Sequence, residues 1–242
     1  MFVKPQPFEE AIAKLGARHP VTSRLTSEQW REVPVALRER AFFSSRVESA
    51  RFLEAARSAL NDFLTGARET LPNGYTVLKV GSRADFIKQM QDFATASGLG
   101  DALPGQGGDL DSRRITNIRS AGRLGLIFDT QIQAAHDYGY WKQGMDADVL
   151  DAFPAQKFIR VIAVKEPRLD HAPLEDRVAL KTDLPFWVKI NRDFGVPWGP
   201  WGWRCGHDVE DVGREEAEAL GLLKPGQKIQ PVDAPFNRAL EA

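Results

Sequence analysis

Apolar residues recur every three or four positions through the first two thirds of this chain, and then the rhythm breaks down. From Glu39 to Glu69 the positions Phe42, Val47, Ala50, Leu53, Ala56, Leu60, Phe63, Leu64 and Ala67 follow that step, so the spacing predicts one long helix with a buried stripe. Ser82 to Ser97 predicts a second, with Phe86, Met90, Phe93 and Ala94 on one face and Ser82 as its cap. Further helices are predicted over Ser112 to Ser120 and, after a nick at Gly122 and Gly125, over Leu126 to Trp141. Thr26 followed by Gln29 three positions later is a capping box, and Pro34 interrupts what it starts. Glu9 to Arg18 is a short helical stretch boxed in by Pro5, Pro7 and Pro20, which predicts an arm rather than core.

Strand-like patterns are fewer. Tyr75 to Val80 follows the turn Leu71-Pro72-Asn73-Gly74. Lys157 to Lys165, between Pro154 and Pro167, is rich in β-branched residues. Beyond it Pro167, Pro173, Pro185, Pro197 and Pro200 cut the chain into short pieces, leaving room for a small strand over Val178 to Lys181 and a last helix over Arg214 to Leu220, closed by Gly221. The pattern therefore predicts an α+β protein. Its parts are an arm over 1–25, a helical part over 26–153, a part over 154–230 with a small antiparallel sheet and Trp/Pro/Gly-rich loops, and a tail over 231–242.

Composition changes this picture little. Of 242 residues, 43% are hydrophobic, including 14 Phe and 6 Trp, enough for a core. The 32 basic and 33 acidic side chains leave a net charge of −1, so a nucleic-acid or membrane-surface coat is not expected and any such contact has to be local. A single cysteine cannot make an internal disulfide, and the opening Met-Phe-Val-Lys-Pro lacks the apolar stretch of a secretory signal. Both point to a chain that is cytosolic when made.

The candidate chemistry is concentrated in GVPWGPWGWRCGHDVEDV, from Gly195 to Val212. His136, His171, Cys205 and His207 are possible metal ligands. However, Cys205-Gly206-His207 has only one intervening residue and the others stand alone, which is not the paired spacing of a structural zinc site. Cys205 with His207 or His171 as base and Asp208 as orienting carboxylate would supply a nucleophile, but crowding tryptophans favour the neutral thiol, so a buried inert cysteine is expected. The acids Asp208, Glu210, Asp211, Glu215, Glu216 and Glu218 face Arg214 alone and predict a solvated face. Arg113, Arg114, Arg119 and Arg123 form the one basic patch, a candidate for DNA or partner contact. Glycine and proline alternating with tryptophan force turns while each indole buries about 150–250 Å². That segment organises shape before chemistry, and Trp203 is expected to be buried.

Read as a unit, Asp129 to Val212 resembles the bacteriophage head-morphogenesis, or minor head protein, family of phage Mu F-like proteins. The features that carry the resemblance are HDYGYWKQGMDADVLDAFPAQKFIRV, then Val164-Lys165-Glu166-Pro167-Arg168 with His171 after it. Leu184-Pro185-Phe186-Trp187 and Trp198-Gly199-Pro200-Trp201-Gly202-Trp203-Arg204-Cys205 complete the series. Phe42-Phe43-Ser44-Ser45-Arg46-Val47 resembles the family's helical entry. Many relatives have Asn before the cysteine and a second cysteine soon after. Here Arg204 and His207 stand in those places, which speaks against a metal pair shared across the family. The resemblance implies a structural protein of the phage head, assembled in the host cytoplasm. It implies partners in the portal protein or the major capsid protein, with packaged double-stranded DNA as a secondary contact. It implies no catalytic residue, cofactor or membrane. Arg168, His171, Trp187, Trp203 and Cys205 would then stabilise the C-terminal part. The rival reading is a metal-dependent hydrolase or nuclease built on His171, Cys205, His207 and Asp208, and a second rival is a DNA-binding module using Arg113 to Arg123.

Overall fold

The computed structural model describes residues 8–100, 117–164 and 169–232, and divides the chain into two compact units, Met1–Ala135 and His136–Ala242. The fold is α+β. The division falls within a helix rather than at residue 153.

In the first unit, helices α1 (Glu9–Gly16), α2 (Ser27–Arg31) and α3 (Val35–Arg40) precede the main pair, α4 (Ala50–Thr65) and α5 (Arg83–Ala96). Two-residue strands β1 (His19–Pro20) and β2 (Ala41–Phe42) pair in parallel, and β3 (Arg68–Thr70) and β4 (Thr76–Leu78) form an exposed hairpin. The core is the stripe Phe52, Leu53, Ala56, Ala59 and Leu60 of α4. It meets Phe86 and Met90 of α5 and Leu124 and Phe128 of the next helix, α6 (Ala121–Gln143). Phe128 packs against Phe63 at 4.9 Å and Phe86 at 5.4 Å between ring centroids.

Several expectations change here. Residues 8–25 are not an arm, because Ala11 and Leu15 of α1, one turn apart, are both 1% exposed and sit in this core with Phe42. Prolines bound α1 without keeping it out. The long helix expected from Glu39 is split, since Phe42 belongs to β2 and Arg46 takes a left-handed φ of 57° that no helix accommodates. α4 starts afresh where the Ser49 hydroxyl accepts from the Phe52 N–H at 3.2 Å, and it ends at Gly66 with φ of 62°. Conversely α6 runs unbroken through Gly122 and Gly125. A Cβ at Gly125 would lie 2.0 Å from the Arg83 guanidinium, which crosses there to pair with Asp129 at 2.7 Å. Glycine at that position makes way for a side chain rather than breaking the helix. Of the helix expected over Ser112 to Ser120, residues 112–116 lie outside the described residues, and 117–120 form a turn.

The second unit contains the end of α6 and α7 (Ala147–Ala152), capped by Asp146. Its sheet has strand order β6-β5-β7, all antiparallel, from β5 (Ala155–Arg160), β6 (Val178–Leu180) and β7 (His207–Val212). A 3-10 turn (Ala172–Leu174), α8 (Leu184–Ile190) and α9 (Arg214–Ala219) complete it. α8 begins where Asp183 accepts from the Phe186 N–H at 3.1 Å, with Pro185 in its first turn. α9 closes at Gly221, φ 72°. The acidic run is therefore only partly a solvated face. Asp208 to Val212 is an edge strand in which Glu210 pairs with Lys157, and Asp211 lies 2.8 Å from the ammonium of buried Lys181. Among the described residues no helix is long and apolar enough to cross a membrane.

Candidate functional site

The Gly/Pro/Trp segment carries the tryptophans into two buried clusters. Trp201 and Trp187 join Phe158 of β5, Ala179, Ile190 and Cys205, while Trp198 joins Trp141, Met145, Leu150 and Val196. Trp187 also donates its indole N–H to the Leu180 carbonyl at 2.9 Å. Trp203, expected to be buried, is only partly so and packs on Phe194 at 5.0 Å. It is Trp201, 1% exposed, that fills the centre. Between Trp201 and Cys205 the backbone takes positive φ at Gly202 (156°) and Arg204 (54°), on either side of Trp203.

That turn builds the one group of histidine, cysteine and carboxylate side chains that could share an ion among the described residues. His171, Cys205 and His207 each place a ligand atom within 4.8 Å of the others, and all three side chains are buried. Gly206 sits between the last two with φ of 70°, and its carbonyl accepts from the Val161 and Ile162 N–H groups, both at 3.0 Å. A Cβ there would stand 2.4 Å from the Ile162 carbonyl oxygen, so only glycine fits. Gly206→Ala is expected to destabilise the second unit by about 1–2 kcal/mol from the backbone conformation alone, and by more from the clash. Thermal melting of the variant checks this, and an unchanged midpoint would contradict the turn geometry.

The polar partners of the group are specific. His207, the first residue of β7 and paired with Arg160 of β5, stacks on Phe158 at 4.6 Å with an interplanar angle of 6°. Its Nε2 lies 3.1 Å from the Glu175 carboxylate, which also accepts from Arg160 at 2.6 and 2.9 Å. Arg160 first, then His207, hold the Glu175 carboxyl below the usual carboxylate range. His171 leads into the 3-10 turn, stands edge-on to Phe158 at 5.6 Å and to His207 at 5.3 Å, and has Nε2 3.2 Å from the Ile190 carbonyl. A carbonyl and a carboxylate can only accept, so each Nε2 carries a proton. The His207 N–H donates to the Cys205 sulfur at 3.5 Å.

The other singled-out residues lie elsewhere. Asp208, next to His207 on β7, points to the opposite face, where burial raises its pKa and His136 opposes that shift. His136, whose side chain is 63% exposed, lies 3.3 Å from Asp137, which raises its pKa. Neither belongs to the buried trio. In the first unit the Arg123 guanidinium donates to the Ser44 hydroxyl at 2.6 Å and the Ser45 carbonyl at 2.7 Å, and Arg119 donates to the Leu99 carbonyl. Arg113, Arg114 and Arg168 lie outside the described residues. Sequence reasoning missed Glu175, Arg160 and Ile190 as partners of the histidines. The one available signal was that β5 places Phe158 and Arg160 two residues apart on one face.

Compared with known proteins, the chain has no significant match among protein-family models, curated proteins or solved structures.

Proposed function

We propose that this chain is a minor head protein of a bacteriophage, acting in head morphogenesis through its surfaces, with the portal or the major capsid protein as partner. One observation supports the reading above the others. Of the residues that carry the resemblance, Phe42 to Val47 belongs to the first unit, while His171, Trp187, Trp201 and Cys205, spread over some of the C-terminal part of the chain, come together in the second around Phe158. They form a filled interior. Apolar side chains left on the surface of the same unit, Ile162 and Leu169 at 63% and 90% exposure, are suited to being covered on assembly.

The hydrolase reading has less support, because its three clustered residues are each no more than 4% exposed and Asp208 faces away from them. A substrate needs a concave approach that such burial does not offer. The DNA-binding reading has less support too, since Arg119 Nε donates to the Leu99 carbonyl and Arg123 Nη2 to Ser44 and Ser45 of the chain itself. Quantitative mass spectrometry of purified particles tests the proposal. The chain is expected in mature heads at a fixed ratio well below that of the major capsid protein. Infectious particles lacking it, from a host shown to produce it, would overturn the assignment.

A further inference from the structure

We propose that His171, Cys205 and His207 form a structural zinc site that locks the β5–β7 edge, the 3-10 turn and the Trp-rich segment together. This goes beyond the role in the phage head and does not depend on it. Two imidazole nitrogens and a thiolate are the donor set that zinc favours, and it accepts them with no geometric demand beyond a tetrahedron. With Zn–N of about 2.0–2.1 Å and Zn–S of about 2.3 Å, a tetrahedral ion needs ligand atoms roughly 3.3–3.6 Å apart. The trio's ligand atoms lie within 4.8 Å of one another and have to draw closer to reach that.

Three features go beyond proximity. First, each histidine is oriented from behind as metal-binding histidines are, His207 Nε2 by Glu175 and His171 Nε2 by the Ile190 carbonyl. Arg160 in turn fixes Glu175 from β5. Second, His207 is 1% exposed and its Nδ1 has no hydrogen-bond partner among the described residues, a vacancy that a bound cation fills. Third, left-handed departures at Arg204 and Gly206, on either side of Cys205, bend the chain so that Cys205 and His207 reach the same point, and the His207 N–H donates to the sulfur. Apolar packing alone would require none of these. The ring faces of Phe158 and the indole of Trp201 exclude solvent around the site, so the ion would hold structure and activate nothing. Among the described residues the ligand set is these three side chains.

The test is cobalt titration of the full chain after removal of metal with a chelator. The expected result is one cobalt per chain, with the visible absorption of a tetrahedral ion and a near-ultraviolet thiolate-to-cobalt band, both displaced by an equivalent of zinc. Cys205→Ser should lose the thiolate band, and His171→Ala should lose the tetrahedral absorption. Should either variant fail to fold, the parent chain decides the question alone, because added zinc is expected to raise the melting midpoint of the second unit and chelator to lower it. Featureless cobalt spectra together with a melting midpoint indifferent to zinc and chelator would overturn the proposal. These readouts use purified protein, so their failure is separate from absence of the chain in particles.

Discussion

Trp201→Ala is expected to destabilise the second unit by about 3–5 kcal/mol, the range for emptying a fully buried large side chain. Trp201 packs edge-on against Phe158 at 5.5 Å and tilted against Trp187 at 5.5 Å, at 1% exposure. Its removal leaves a cavity that neither strand β5 nor helix α8 can collapse into without breaking the sheet register. It also opens the wall beside His171 and His207, so zinc affinity should fall with stability. Trp203→Ala provides the internal control. That side chain rests on Phe194 at the periphery, and its loss should cost about 1 kcal/mol. Calorimetric melting of both variants checks the ordering. A Trp203 variant that melts lower than the Trp201 variant would contradict the account of which indole fills the core.

The second large effect lies in the first unit. Lys14, 2% exposed, pairs with Glu39 inside the core, while Arg18 sits nearby and donates to Gln131. Burial pushes the Lys14 ammonium down to about 7, against the pull of Glu39 and with help from Arg18. Glu39→Gln removes the carboxylate beside the buried Lys14 and Arg18 side chains, so a loss of about 3–5 kcal/mol is expected. Lys14→Met should be far milder, because Arg18 remains to balance Glu39 and an ammonium no longer has to be desolvated. The pH dependence follows from the same shift. Between about pH 7 and 10.5 the unfolded chain holds a proton on Lys14 that the folded chain has released. Stability therefore rises with pH through that window, by at most about 1.4 kcal/mol per unit for one proton. Lys14→Met should abolish that increment in denaturant midpoints measured across the window, and a slope equal to the parent's would contradict it.

Much of the local structure was legible because it is encoded locally. The Thr26/Gln29 capping box forms in both directions, Ser82 caps α5 through the Asp85 N–H, and Gly221 ends α9. What failed depended on partners distant in sequence. Periodicity alone ran a helix through Phe42 and Val47, where the competing interaction is a parallel pairing with His19 and Pro20. Counting charges hid β7, because Glu210 pairs with Lys157 on the neighbouring strand β5 and Asp211 with Lys181 just after β6. The grouping of His171 with Cys205 and His207 was hidden for the same reason, because His171 stands far from them in sequence and meets them beside Phe158, a closeness that no short motif announces.

Hydrogen exchange on the intact chain tests most directly the claim that the C-terminal unit is a closed, rigid piece. The Phe158 amide, bonded to the Arg177 carbonyl at 2.9 Å, and the Val161 and Ile162 amides on Gly206 are expected to exchange only through unfolding of the whole unit. Exchange of these amides at the rate of an exposed loop would mean that the aromatic and imidazole core is open to water, and would contradict the account.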